Sequence, residues 1–167
     1  MVNLRKILIT TDLSEHSLAA VDLAVSLRLL YDARLSILYV QEDLAPIGLA
    51  LHTLYVDGDV YRKRSEAEAK AALDAFVHRH FAPHVRPIAV VRTGEPPVEI
   101  NRFANEEEVD LVVMATHGRT GLHHVLMGSI AEKVVRTSRV PVLTVKPVPM
   151  QADLIREEDI ERELHLR

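Results

Sequence analysis

One stretch of this chain gathers the residue types that hold phosphate: Met114-Ala115-Thr116-His117-Gly118-Arg119-Thr120-Gly121-Leu122-His123-His124-Val125-Leu126-Met127-Gly128-Ser129. Gly118 and Gly121 let backbone N–H groups approach a ligand with no Cβ in the way. Gly128-Ser129 reads as the opening of a helix, whose first N–H groups lack intrahelical acceptors and carry a partial positive charge. Arg119 adds a full positive charge, and the Ser129 hydroxyl can donate to a phosphate oxygen. Together these residues suit a di- or triphosphate. Taken alone, the same loop also reads as a turn that caps a helix. The chain has no Gly-x4-Gly-Lys-Ser/Thr, and no Gly-x-Gly-x-x-Gly follows its first apolar run, so neither a P-loop nor a dinucleotide fingerprint is present.

Other residues invite chemistry less strongly. Asp12 follows an apolar run, where an Asp caps the next helix as readily as it meets a ligand. His78, His80 and His84 sit at a predicted helix end, where imidazoles suit the helix dipole. A metal there would need carboxylate help and fixed geometry, and no metal site is expected. Ser129 lies in Gly-Ser-Ile-Ala and not in a Gly-x-Ser-x-Gly elbow, and no His–Asp pair accompanies it. No general base or arginine finger aimed at a γ-phosphate is evident. At most, slow hydrolysis is expected, with Asp12 holding Mg²⁺ or orienting a water.

The elements that must position these residues follow from hydrophobic pattern. Five short runs rich in Val, Ile and Leu read as strands: Lys6–Thr11, Arg34–Val40, Arg86–Arg92, Val109–Ala115 and Val140–Lys146. Most are apolar on consecutive residues, as in strands covered on both faces. Between them lie helical segments. Leu18, Val21, Val25 and Leu29 line one face of the first, with Ser14 placed to cap its start. The second runs over Gly58–Phe81. The third starts near Glu95, where Pro96 and Pro97 suit a first turn. The fourth starts near Gly128–Ser129 and stops before Val140. This alternation predicts an α/β doubly wound parallel sheet, with ligands beyond the carboxyl ends of the strands. Two long connections interrupt it, Gln41–Asp57 and Thr116–Met127.

The chain has 167 residues, 48% of them hydrophobic and 26% charged, which suits one globular domain with a tail. The lack of cysteine removes disulfides, thiolate metal sites and cysteine nucleophiles. A net charge of −4 argues against nucleic acid as a partner. Gln151–Arg167 carries six acidic residues against three arginines and so holds most of that charge. The tail reads equally as a docked peripheral helix or a solvated segment. No run reaches membrane-spanning length and no signal-peptide pattern opens the chain, so a soluble, cytoplasmic protein is expected.

Over Leu4–Pro147 the sequence resembles the universal stress protein family. The likeness rests on Lys6-Ile7-Leu8-Ile9-Thr10-Thr11-Asp12-Leu13-Ser14, on Leu38-Tyr39-Val40, on the loop above, and on Val140-Pro141-Val142-Leu143-Thr144-Val145. The family's ATP-binding branch has the pattern Gly-x2-Gly-x9-Gly-Ser/Thr, which falls here on Ala115, Gly118, Gly128 and Ser129. Ala115 departs from the first glycine, and Thr10 stands where the family usually has proline. The resemblance implies domain boundaries at 1–147 with an acidic tail at 148–167, and strand order 3-2-1-4-5 of the adenine nucleotide alpha hydrolase-like, Rossmann-like kind. The ends of strands one and four, including Thr10, Thr11 and Asp12, then flank the site. It further implies ATP as ligand, with Asp12 and Val40 against the adenosine and Met114 and Ala115 lining the pocket. Gly118, Arg119, Gly128, Ser129 and Ile130 would surround the phosphates, with His117 within reach.

The expected function is therefore an ATP-binding switch in stress response. Two alternatives stand beside it: an interaction protein of the same fold that needs no nucleotide, and a slow ATPase. The apolar last strand is an exposed edge that invites pairing. The family likeness likewise implies a homodimer through Val140–Val145, unless the tail covers that edge.

Overall fold

A computed structural model describes residues 4–42, 58–117 and 127–146. The elements are β1 (Lys6–Thr11), α1 (Leu18–Tyr31), β2 (Arg34–Gln41), α2 (Gly58–His80), β3 (Ile88–Thr93), α3 (Pro96–Glu106), β4 (Leu111–Ala115), α4 (Ser129–Thr137) and β5 (Val142–Val145), with 3₁₀ turns at Glu15–Ser17 and Pro83–Val85. The five strands form one sheet in the order β3-β2-β1-β4-β5, and every neighbouring pair is parallel. Both the expected fold class and the expected strand order are found. Among the described residues, no helix is long and apolar enough to cross a membrane.

The consecutive apolar runs have a direct cause: helices cover the sheet on both sides. Ile7, Ile9, Leu35, Ile37 and Val113 point to one face, where they pack with Ala20, Val21 and Ala24 of α1 and Leu73, Phe76 and Val77 of α2. Leu8, Leu38, Val112 and Met114 point to the other, under Ile100, Phe103 and Ala104 of α3 and Ala131 and Val134 of α4. A strand buried on both faces cannot alternate apolar with polar residues.

Boundaries moved where proline or side-chain bonds intervene. The segment before β3 folds into the Pro83–Val85 turn, and pairing starts only at Ile88. At the start of β4, the Asp110 carboxylate accepts the N–H groups of Arg5 and Lys6 (2.7 and 2.9 Å) while the Asp110 N–H donates to the Lys6 carbonyl (2.9 Å), and residue pairing begins with Leu111 opposite Ile7. Pro141 delays β5 to Val142. Leu29, expected on the buried stripe of α1, is 60% exposed, because the core on that face takes its buried α1 residues from Ala20, Val21 and Ala24. Residues 43–57, most of the first long connection, and the tail from 147 onwards lie outside the described residues.

Candidate functional site

From β1 the chain moves outward to β2 and then β3, and α3 carries it back to β4 on the opposite side of β1. The connections leaving the carboxyl ends of β1 and β4 therefore diverge. That leaves a crevice, the place where such sheets take ligands. Ile9 pairs with Val113. Continuing that register sets Thr10 and Thr11 beside Met114 and Ala115.

The turn leaving β1 is tightly organised. The Ser14 N–H and hydroxyl both donate to Asp12 Oδ1 (3.1 and 2.6 Å). The Leu13 N–H donates to Thr11 Oγ1 (2.9 Å), and the Ser17 hydroxyl donates to the Ser14 carbonyl (2.7 Å). The Ser17 proton is thus committed, so the 2.8 Å contact between Thr11 Oγ1 and Ser17 Oγ has Thr11 as its donor. Leu13 takes a left-handed φ of 65° to make this turn. The expectation that Ser14 caps α1 is corrected here. Its hydroxyl donates to Asp12, while the Asp12 carboxylate and the Thr11 hydroxyl receive the N–H groups of the turn. A carboxylate accepts two donors from one residue more strongly than a serine oxygen accepts one. Thr10 and Thr11 are buried, and Asp12 is half-buried at the crevice.

Across the crevice, Thr116 pins the end of β4. Its N–H donates to the Val145 carbonyl (2.8 Å), and its own carbonyl accepts the Gly128 N–H (2.7 Å). The two ends of the long loop are thereby held together. A Cβ on Gly128 would lie 3.1 Å from that same carbonyl, so the site requires close approach and not an unusual torsion (φ −68°, ψ 155°). His117 Nδ1 lies 2.9 Å from Thr116 Oγ1. Gly118, Arg119 and the rest of the loop to Leu126 lie outside the described residues. Ala115 sits in β4, paired with Val145, and is not among the residues with positive φ. Its departure from glycine therefore causes no backbone strain.

The last two of the helices that start at this end of the sheet, α3 and α4, differ in what they offer an anion. α3 opens on Pro96 and Pro97, which have no N–H, and the next two N–H groups return to the Glu95 carbonyl (both 3.0 Å). α4 opens on Gly128 with no side-chain cap, leaving the first-turn N–H groups of Ser129, Ile130 and Ala131 without intrahelical acceptors. Of the two, α4 is the one built to receive negative charge.

A cleft of about 460 Å³ runs from that helix start along its first turn, lined by Glu42, Gly94, Glu95, Pro97, Ser129, Ile130 and Lys133 among others. Val40 and Met127, both half-buried, pack near Met114 on the same side of the sheet. Sequence reasoning missed Glu42, Gly94, Glu95, Pro96, Pro97 and Lys133 as lining. Two signals were available. Lys133 lies four residues after Ser129, on the same face of α4. Gly94 precedes the proline pair at a φ of +149°, and a side chain there would also strike Glu99 at 3.0 Å. Among the described residues no His, Asp or Glu group could hold a metal ion.

The family model described as the universal stress protein family matches residues 3–146. The chain belongs to that family. Universal stress protein MJ0531 of Methanocaldococcus jannaschii is 32% identical over 142 residues, covering 85% of this chain and 82% of that one. The solved structure of MJ0577, the subject of a structure-based assignment of biochemical function, superposes with a TM-score of 0.72 at 26% identity, covering 90% of this chain and all of the other. A universal stress protein solved in complex with cAMP shares the fold at a TM-score of 0.57 and 24% identity, over 87% of this chain and 98% of that one.

Proposed function

We propose that this member of the universal stress protein family binds ATP in the crevice between β1 and β4 and works as a nucleotide-dependent switch in stress response. One observation carries the reading. The start of α4, without a side-chain cap and opened by a glycine packed close against the Thr116 carbonyl, lies at the carboxyl end of the sheet, where the connections of β1 and β4 diverge. The residues present fit the ligand. Ser129 and the first-turn N–H groups of α4 hold phosphate, and Ile130 flanks them. Met114, Val40 and Met127 offer apolar surface to the base, with Thr10, Thr11 and Ala115 as the floor. Asp12 takes the ribose side. Gly118 and Arg119 complete the phosphate contacts, and His117 stands at the start of their loop. Nucleotide bound there sets the surface that this loop offers a protein partner.

The same reading makes residues 1–147 the binding domain and 148–167 an acidic appendix, and places the chain in the cytoplasm. It also makes β5 the seam of a homodimer, because β5 is an end strand whose four residues are only half-buried in one copy.

Calorimetry with ATP, ADP and AMP tests the binding. The expected result is a saturable isotherm for ATP with one nucleotide per chain. Flat titrations at millimolar nucleotide overturn it.

A further inference from the structure

The cleft beside the α4 start holds an ion pair that the family's motif does not include. Lys133 Nζ lies 3.3 Å from Glu95 Oε1, linking the second turn of α4 to the residue that opens α3 across the cleft. Both side chains are more than half exposed (52% and 61%), so the pair adds little to stability and either partner can be exchanged at small expense. Lys133 lies one turn beyond Ser129 on the same helix face, and both line the cleft. A phosphate chain anchored at Ser129 and running along the cleft therefore meets Lys133 next. Facing it are two carboxylates, Glu95 and Glu42, which oppose further negative charge.

We propose that Lys133 is a specificity-determining residue for the outer phosphates, and that Glu95 competes with those phosphates for it. The proposal rests on the ATP reading above. Without ligand, Lys133 pairs with Glu95. When a nucleotide carries β- and γ-phosphates into the cleft, the ammonium leaves the carboxylate for the more highly charged phosphate. AMP ends at the α4 start and does not reach Lys133. The pair thus sets the ratio of ATP to AMP affinity and leaves adenosine recognition alone. Glu95 acts as a brake on that ratio.

Calorimetry with ATP and with AMP on the full chain, on Lys133→Gln and on Glu95→Gln tests this. Both substitutions are exposed, and circular dichroism of each variant is the check that the fold is kept. Lys133→Gln is expected to lower the ATP-to-AMP preference about tenfold, through ATP alone. Glu95→Gln is expected to raise it several-fold. Unchanged ATP affinity in Lys133→Gln, or an equal fall for ATP and AMP, overturns the role of Lys133 and leaves the ATP reading standing. Absence of binding by the unsubstituted chain overturns that reading and this one with it.

Discussion

Replacing Gly128 with aspartate is expected to weaken ATP binding more than about a hundredfold while leaving the chain folded. Gly128 is the N-cap of α4 in an extended conformation (φ −68°, ψ 155°), which any residue can adopt. Aspartate is among the best N-cap residues, because its carboxylate accepts N–H groups from the helix's first turn. In this protein that gain becomes a loss of function. The carboxylate would occupy the donors of Ile130 and Ala131 that the phosphate needs, and would place like charge beside it. Hydrogen bonds to a charged group contribute about 1.5–3 kcal/mol each, so losing two of them already exceeds two decades. The new Cβ must also push the Thr116 carbonyl, 3.1 Å away, by a few tenths of an ångström. The cap gain offsets part of that strain, and the net change in stability stays within about 1 kcal/mol. Titration calorimetry alongside thermal melting separates the two effects. Unaltered ATP affinity in the folded variant would remove the α4 start from the site.

The second large effect concerns assembly. Along β5 the carbonyls of Val145 and of Pro141, just before it, accept the N–H groups of Thr116, just after β4, and of Val112 within it (2.8 and 3.0 Å). Backbone groups alternate direction along a strand, so those of Val142 and Thr144 point to the open edge. Thr144→Pro removes an edge-facing donor and leaves the bonds to β4 in place, a substitution that edge strands tolerate. In a two-fold dimer the loss occurs twice. Dimerisation is then expected to weaken about fivefold to a hundredfold, with two bonds of roughly 0.5–1.5 kcal/mol each removed. Sedimentation velocity reads this directly. A monomeric unsubstituted chain, or an equally dimeric variant, contradicts the β5 seam. A charge at Leu143 would be a poorer probe, because that side chain packs against the core on the α1 face.

The fold was legible because the sheet is buried on both sides. Ile7-Leu8-Ile9 and Val112-Val113-Met114 are apolar without a break, and only strands between two helical layers require that. β1 was delimited correctly since Asp12 and the Leu13 turn end it abruptly. The starts of β3 and β5 were less legible, because Pro87 and Pro141 lie inside runs that read as continuous by hydropathy. The Asp12–Ser14 bonds could not be read from type alone, since Ser and Asp side chains are interchangeable as caps until the turn fixes which one accepts the N–H groups. The cleft was the hardest feature to foresee. Glu42, Glu95 and Lys133 come from three separate connections, and only the parallel order of β2, β3 and β4 brings those connections to one end of the sheet. The candidate phosphate-binding stretch stood out because Gly118, Arg119, Gly121 and the Gly128-Ser129 helix start fall within one loop, whose ends, Thr116 and Gly128, are joined by one hydrogen bond.

In the proposed complex an adenine nucleotide sits between the ends of β1 and β4 with its phosphates on α4. Amide chemical-shift mapping by ¹H–¹⁵N spectroscopy during an ATP titration tests it most directly. The largest shifts are expected at Asp12, Val40, Gly128, Ser129 and Ile130, with the opposite end of the sheet around Arg5, Asp32 and Glu108 unmoved. An unchanged spectrum, or shifts centred away from the α4 start, would contradict it.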